Sequence, residues 1–161
     1  MDKPIEITIL LQPITKKNSQ RIIYNPKLKR SMIIPSKQYK EYEKSSGAFF
    51  RGVKGGIDYP VNVKATYYMP TRRRVDLTNL HEALHDILVH YGVLEDDNCR
   101  VIVSTDGSRV KYDKHNPRTE IVIERAPDVP MQEEMGYEMT DEERQLMDGT
   151  HELYEKGDEE Q

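Results

Sequence analysis

Hydrophobic residues alternate with polar ones over 5–11 and 61–69. A period of two is typical of β-strands that bury one face, so each segment predicts such a strand. Shorter apolar runs predict three further strands, at 100–104, 109–112 and 119–125. The dipeptide Asp106-Gly107 is typical of a tight turn and predicts a hairpin between the first two of these three strands.

Two other segments have helical spacing. Ser36 is a suitable N-cap for a helix that reaches Phe50. A second helix is predicted to begin at Asp76 and to stop at Gly92. At about 100° per residue its apolar positions form one stripe that is expected to pack on the sheet. This stripe consists of Leu77, Leu80, Ala83, Leu84, Ile87, Leu88 and Tyr91.

The order of these elements indicates the fold class. Apolar runs on either side of Asn25-Pro26-Lys27 predict a basic hairpin or flap. Because strands and helices do not alternate regularly, we predict an α+β fold in which two helices pack on a mixed or antiparallel sheet, and not a doubly wound sheet. The length of 161 residues suits one domain at 1–125 and an additional segment at 126–161.

Charge separates the same two parts. Residues 1–125 contain 22 Lys and Arg against 15 Asp and Glu, whereas residues 126–161 contain 2 against 13. The net charge of −4 therefore combines a basic domain, suited to a polyanion, with an acidic tail that we expect to be disordered or partly helical. Two interpretations of the tail stay open: a mobile, solubilising segment, or one that binds a protein partner or masks the basic surface where a polyanion such as DNA would bind.

The compartment follows from cysteine usage and hydropathy. Cys99 is the single cysteine, so an intrachain disulfide is excluded and a reducing compartment is expected. The sequence has neither an apolar run of membrane-spanning length nor an opening typical of a signal peptide. We therefore expect a cytoplasmic protein without membrane contact.

The most informative stretch of the chain is 72–97, where three arginines precede a helix with acidic residues and a closing Asp pair. Taken separately, the acids are explained by a helix N-cap, a solvated helix face and a polar turn. Taken together, they are hard oxygen ligands that suit Mg²⁺ or Mn²⁺, and two such ions activate water and stabilise the leaving oxygen in phosphodiester hydrolysis. The candidate residues are Asp76, Asn79, Glu82, Asp86, Asp96 and Asp97.

Three arginines in succession and a dense basic N-terminal region favour contact with the phosphates of DNA over ordinary surface charge. The candidate DNA-binding residues are Lys16, Lys17, Arg21, Arg72, Arg73 and Arg74. His81 and His85 have the spacing of a helical zinc pair, but they lack the HExxH arrangement and are predicted to be exposed. Tyr67 is predicted to lie in the core, whereas Tyr68 is left open between core packing and stacking on an unpaired base.

The stretch resembles the RusA family of Holliday-junction resolvases. The matching motif consists of the arginine-rich strand end, Asp76-Leu77-Thr78-Asn79-Leu80, Asp86, Gly92 and Asp96-Asp97. The resemblance extends over most of 4–125, since Thr15-Lys16-Lys17-Asn18 is similar to the basic loop of the family.

The resemblance implies a small homodimeric, Mg²⁺-dependent endonuclease, often prophage-encoded, that acts in DNA recombination and repair. Such an enzyme makes paired symmetric nicks in four-way DNA junctions, whose two-fold symmetry matches a dimer. By resemblance, Asp76 and Asp97 are catalytic metal ligands, Asp96 lies beside them, and Asn79 and Asp86 support the site.

Two positions depart from the family pattern. Thr78 stands where a second aspartate is usual, and Glu82 stands where a lysine is common. One hypothesis is that Glu82 takes over the missing ligand role, which gives a catalytic set of Asp76, Glu82 and Asp97. The alternative is a weakened site in a branched-DNA-binding or scaffolding protein of phage replication. A metal-dependent nuclease that acts on RNA or on flaps is a third interpretation.

Overall fold

A computed structural model of the chain describes residues 3–16 and 21–126. Backbone contacts group Met1–Val129 into one unit. The predicted acidic tail at 126–161 lies outside the described residues from residue 127 onward, as does Lys17. Over the part that the structure describes, no helix has both the length and the apolar character that crossing a membrane requires.

The main sheet is mixed and has five strands. They are β1 (Ile5–Ile9), β4 (Val61–Met69), β5 (Ile102–Ser104), β6 (Arg109–Tyr112) and β7 (Arg118–Arg125). The order is β1-β7-β4-β5, and β6 also pairs with β4. β1 and β4 lie antiparallel to β7, whereas β5 and β6 run parallel to β4.

A separate antiparallel hairpin, β2 (Arg21–Asn25) and β3 (Arg30–Ile34), stands apart from this sheet. Asn25 pairs with Arg30, so the turn consists of residues 26–29 and overlaps the predicted Asn25-Pro26-Lys27. The predicted basic hairpin is therefore confirmed.

Both predicted helices are present. α1 (Lys37–Ser46) begins where Ser36 Oγ accepts a hydrogen bond from the Tyr39 amide at 3.1 Å, and a short 3₁₀ helix, Gly47–Phe50, follows it. α2 (Leu77–His90) ends before Gly92, whose φ of +67° is a left-handed conformation that glycine adopts at little cost.

The core lies between one face of the sheet and the helices. The apolar stripe of α2 is buried at Leu80, Leu84, Ile87 and Leu88, as predicted. The facing residues of the sheet alternate along β1, β4 and β7, as the period of two requires. They include Ile7, Ile9, Val61, Val63, Ala65, Tyr67, Ile121 and Ile123. The α+β fold with a mixed sheet and two helices is thus confirmed.

The predicted hairpin between 100–104 and 109–112 is wrong. A turn does occur there, since the Ser108 amide donates to the Thr105 carbonyl at 3.2 Å, but β5 and β6 both pair with β4. Asn62 of β4 explains the difference, because its side-chain oxygen accepts from the Ser104 hydroxyl at 2.7 Å and from the Asp106 amide at 2.8 Å. The turn is thereby bound to β4, and the two strands lie one after the other along the same edge.

Candidate functional site

Asp76 lies at the point where the loop after β4 enters α2. Its backbone is extended, with φ −84° and ψ 125°, and it occupies the N-cap position. Its carboxylate nevertheless accepts no hydrogen bond from the amides of the first helical turn. Instead Asn79 Nδ2 donates to Asp76 Oδ2 at 3.1 Å, and the carboxylate is exposed. Helix capping therefore does not account for Asp76, and the predicted neighbour Asn79 orients it.

The three arginines lie just before Asp76 in the chain. Arg73, Arg74 and Val75 line a cleft of about 200 Å³ together with Thr15 and Gln38. Arg72 points to a different neighbour, because its guanidinium lies 4.4 Å from the ring centroid of Tyr112 on the edge strand β6. Two of the three predicted arginines thus face a cleft that contains the residue directly before Asp76.

Lys16 brings a cation to the flank of α2. Its Nζ donates to Asp86 Oδ2 at 2.5 Å, and both side chains are about one-third exposed. The hydrogen bond from Lys16 to Asp86, together with the nearby charge of Glu82, raises the pKa of Lys16 above its ordinary value. In the RusA-like motif a lysine is common at the position that Glu82 occupies in this chain. Here the ammonium group of Lys16 reaches that part of α2 from a different segment.

Asp96 and Asp97 form a tight polar turn after α2. Asp96 Oδ1 accepts from the Asp97 amide at 2.7 Å, and Asp96 Oδ2 accepts from Asn98 Nδ2 at 2.6 Å. These two hydrogen bonds lower the pKa of Asp96 below its ordinary value, and the one from the Asp97 amide has the larger effect. The Asp96 carboxylate is therefore ionised at neutral pH. Both aspartates are exposed.

A single chain keeps Asp76 apart from Asp96 and Asp97. α2 contains 14 residues, and at about 1.5 Å per residue it is about 20 Å long. Asp76 precedes its first turn, whereas the segment after it stays at the other end, since the Val93 amide donates to the Leu88 carbonyl at 2.9 Å. Within residues 3–16 and 21–126 of one chain, no group of three or more His, Cys, Asp or Glu side chains is placed to hold a metal ion. The predicted metal ligands therefore lie in two separate places within one protomer, with Asp76 at the start of α2 and Asp96 and Asp97 beyond its end.

The two α2 histidines are not exposed, which corrects the expectation from sequence. His81 is 8% exposed, and its Nδ1 lies 3.0 Å from the hydroxyl of buried Tyr67. The rings of His81 and His85 stack with centroids 5.4 Å apart. Burial lowers the pKa of both, that of His85 to about 4, so the pair is neutral at pH 7. The i, i+4 spacing places both rings on one side of the helix, where His81 contacts Tyr67 of β4.

Tyr68 is occupied by protein contacts. The guanidinium of Arg118 lies 3.6 Å from its ring centroid, and its hydroxyl donates to Glu120 Oε2 at 3.2 Å. Arg118 is in turn held by Asp113 and Glu120 at 3.0 and 2.8 Å. The ring is therefore part of a cation–π and ion-pair network on the sheet and is not offered as a platform for a base.

A comparison with known protein families identifies the family of the chain. The family model described as endodeoxyribonuclease RusA matches residues 6–124. The chain belongs to the RusA family. No curated protein matches the chain. Membership of this family implies an endodeoxyribonuclease, a hydrolase that cuts phosphodiester bonds within DNA.

Within this RusA-family domain, the structure adds acidic residues that the sequence analysis missed. Asp58 and Glu95 line a cleft of about 440 Å³ together with Asp96. Asp58 precedes β4 by three positions, and backbone pairing of Ile57 with the segment around Leu94 brings it near the residues that follow α2. Local sequence carries no sign of this proximity, because it depends on a contact between distant segments.

Proposed function

We propose that this protein is a homodimeric, Mg²⁺-dependent Holliday-junction resolvase. The observation that carries the proposal is the exposed Asp76 carboxylate, which is not used for helix capping and lies beside the Arg73–Arg74 cleft in a RusA-family domain. Arginines at this place can hold a DNA backbone through charge-assisted hydrogen bonds while the carboxylate faces the phosphate to be cut. Two such sites in a two-fold dimer match the two symmetric cuts that a four-way junction requires.

We infer that the active site is shared between two chains. Because about 20 Å of helix lies between Asp76 and Asp97 in one chain, a common site requires Asp76 from one chain and Asp97 from a second copy. A two-fold arrangement would then form two equivalent sites, each incomplete in the monomer. This arrangement makes dimerisation a condition of catalysis.

The donor set fits a hard divalent cation. Asp76, Asp96 and Asp97 present exposed carboxylates, and Asn79 orients the first while Asn98 and the Asp97 amide orient the second. When bound, Mg²⁺ or Mn²⁺ supplies a lowered water pKa and stabilisation of the leaving oxygen. In the chain itself, Arg73 and Arg74 hold phosphates, and Asn79 keeps Asp76 in position.

Thr78 stands where the family pattern usually has an aspartate, and we propose that Glu82 replaces this missing metal ligand. It lies on α2 between Asp76 and Asp86, near the Lys16 ammonium. Glu82→Gln removes the charge with little change in shape. If Glu82 is a ligand, the variant loses nicking or needs much more Mg²⁺. Nicking at the wild-type rate and Mg²⁺ requirement would show that Thr78 has no substitute ligand here.

The first experiment uses a synthetic four-way junction, a flap and a linear duplex, each in Mg²⁺ and in EDTA. We expect paired nicks in the junction in Mg²⁺ and none in EDTA. Asp97→Asn should keep junction binding and lose nicking. A loss of binding as well would make the role of Asp97 structural.

Complementation tests the shared site. The Asp76→Asn and Asp97→Asn chains are each inactive as homodimers, but a mixed dimer contains one site with both aspartates intact. We therefore expect mixing to restore nicking of one strand without the second cut. If each site were built within one chain, both sites of the mixed dimer would lack an aspartate, and no nicking would return.

The second candidate is a branched-DNA-binding or scaffolding protein without nuclease activity. Thr78 and Glu82 favour it, since both stand where the pattern has other residues. Selective junction binding with no nicking in Mg²⁺ or Mn²⁺ would establish this second function. Phage origin and a tail that binds a partner remain predictions.

A further inference from the structure

The β2–β3 hairpin exposes an apolar ridge. Among the described residues, seven large hydrophobic side chains are exposed, and four of them belong to this hairpin. Ile22 is 75% exposed, Ile23 43%, Tyr24 64% and Leu28 53%. A two-stranded hairpin is only marginally stable by itself, and large exposed apolar side chains typically mark a contact surface. Stabilisation of the fold therefore does not explain why the hairpin exposes these apolar side chains.

The tip of the hairpin is shaped by its own hydrogen bonds. Asn25 Oδ1 accepts from the Lys27 amide at 3.0 Å and from the Leu28 amide at 3.2 Å. Lys29 then adopts a φ of +49°, in the left-handed region, which lets the chain turn back into β3. Ile22 and Tyr24 are two residues apart on one strand, so their side chains lie on the same face. The ridge is thus presented by a defined turn.

All Lys, Arg, Asp and Glu residues that lie near the ridge in the sequence are cationic. No Asp or Glu occurs between Glu6 and Glu41, whereas this interval contains eight Lys and Arg. A second copy of the same hairpin would bring like charges together, which disfavours self-association through this element. Apolar faces combined with dense negative charge are the chemistry of a nucleic acid whose bases are unstacked.

The hairpin ends close to the arginine cleft. β3 ends at Ile34, two residues before the N-cap Ser36, and Gln38 of α1 lines the cleft with Arg73 and Arg74. A DNA strand held by these arginines is therefore near the base of the hairpin.

We propose that the β2–β3 hairpin recognises the branch point of DNA. In this arrangement Ile22 and Tyr24 pack against bases that are unstacked at the branch, and Lys27, Lys29 and Arg30 contact the flanking phosphates. Insertion into linear duplex must first separate stacked bases, whereas stacking is already interrupted at a branch. The apolar ridge therefore gives selectivity for branched over linear DNA. This inference rests on the proposed function only in taking branched DNA as the ligand.

The test measures binding of the full chain in EDTA, so that it does not depend on cleavage. The double variant Ile22→Ser/Tyr24→Ser is compared with wild type on a four-way junction and on linear duplex of the same sequence. We expect about a ten-fold loss of affinity for the junction and less than about a two-fold change for duplex. Leu10→Ser, an exposed hydrophobic residue outside the hairpin, is the matched control and should change neither affinity.

A fluorescent variant gives a direct readout that leaves the ridge large and aromatic. The chain contains no tryptophan, so Tyr24→Trp introduces a single one. Its fluorescence should be quenched by stacking when the junction binds and should change little with duplex.

Three results with the double variant would overturn the inference: unchanged junction affinity, equal losses on junction and duplex, or dissociation of a dimer in sedimentation, which would make the ridge a self-association surface. Wild-type protein without preference for the junction would also overturn it. Preference for the junction without nicking in Mg²⁺ would remove the proposed nuclease activity and leave the hairpin inference standing.

Discussion

Lys16 Nζ and Asp86 Oδ2 lie 2.5 Å apart, although 70 positions separate these residues in the chain. The contact joins Lys16, the first residue of the basic N-terminal region, to α2, the helix whose N-cap is Asp76. It also gives α2 a cation on the flank that carries Glu82 and Asp86. The ion pair therefore joins the DNA-binding and acidic parts of the predicted site.

This ion pair should contribute little to global stability. Because both side chains are about one-third exposed, a double-mutant cycle with Lys16→Met and Asp86→Asn in urea unfolding should give a coupling free energy below about 1 kcal/mol at neutral pH. The pKa of Lys16 is raised in the folded state, so its contribution is present below 10.5 and is lost as pH rises through the raised value. Lys40→Met, at an exposed position of α1, is the control. A coupling of several kcal/mol would show that water does not screen the pair.

The Tyr67 hydroxyl should stabilise the fold through His81. Tyr67→Phe leaves His81 Nδ1 without its partner at 3.0 Å in a buried place, which should lower the free energy of unfolding by about 1–3 kcal/mol. Tyr112→Phe removes a hydroxyl from a more exposed ring, and it should cost less than about 0.5 kcal/mol. Chemical denaturation of both variants measures the difference. Equal effects would mean that the buried contact is not a net stabilising hydrogen bond.

His85 should make the fold sensitive to acid. Its pKa is about 4 in the folded state against 6.5 ordinarily, because burial disfavours the charged ring. The unfolded chain therefore takes up a proton first, and stability that is complete above pH 6.5 is lost as pH falls toward 4.

His85→Gln should reduce the loss of folding stability at acid pH by up to about 3 kcal/mol. The measurement is the free energy of unfolding at several pH values. The variant retains His81, whose pKa is lowered in the same direction, so some acid dependence should remain. His115→Gln, at an exposed position, should follow the wild-type profile. Parallel profiles for His85→Gln and wild type would rule out the buried ring as the source.

Arg73 should act on DNA through phosphate and not through sequence. Arg73→Gln should weaken binding to every DNA sequence and reduce the slope of log affinity against log salt by about one. The measurement is made in EDTA, with exposed Arg51→Gln as a charge-matched control outside the cleft. An unchanged slope for Arg73→Gln, or an equal change for Arg51→Gln, would contradict a specific contact at the cleft.

Local patterns predicted most elements because burial on one face leaves a period in the sequence. The strand at 61–69 and the helix from Leu77 are confirmed for this reason. The same reasoning was wrong for His81, because a histidine counts as polar in a pattern even when a buried tyrosine satisfies one of its nitrogens. It was wrong also for the turn at Asp106-Gly107, since Asn62 of a distant strand binds that turn.

The sequence by itself determined the α+β class, the two helices, the basic hairpin and membership of the RusA family, since each rests on spacing or residue type within short stretches. Only the tertiary structure decided how far apart Asp76 and Asp97 lie, which cation meets Asp86 and how β5 and β6 pair. These depend on contacts between segments that are distant in the chain, and a residue's neighbours in sequence carry no record of which distant segment will pack against it.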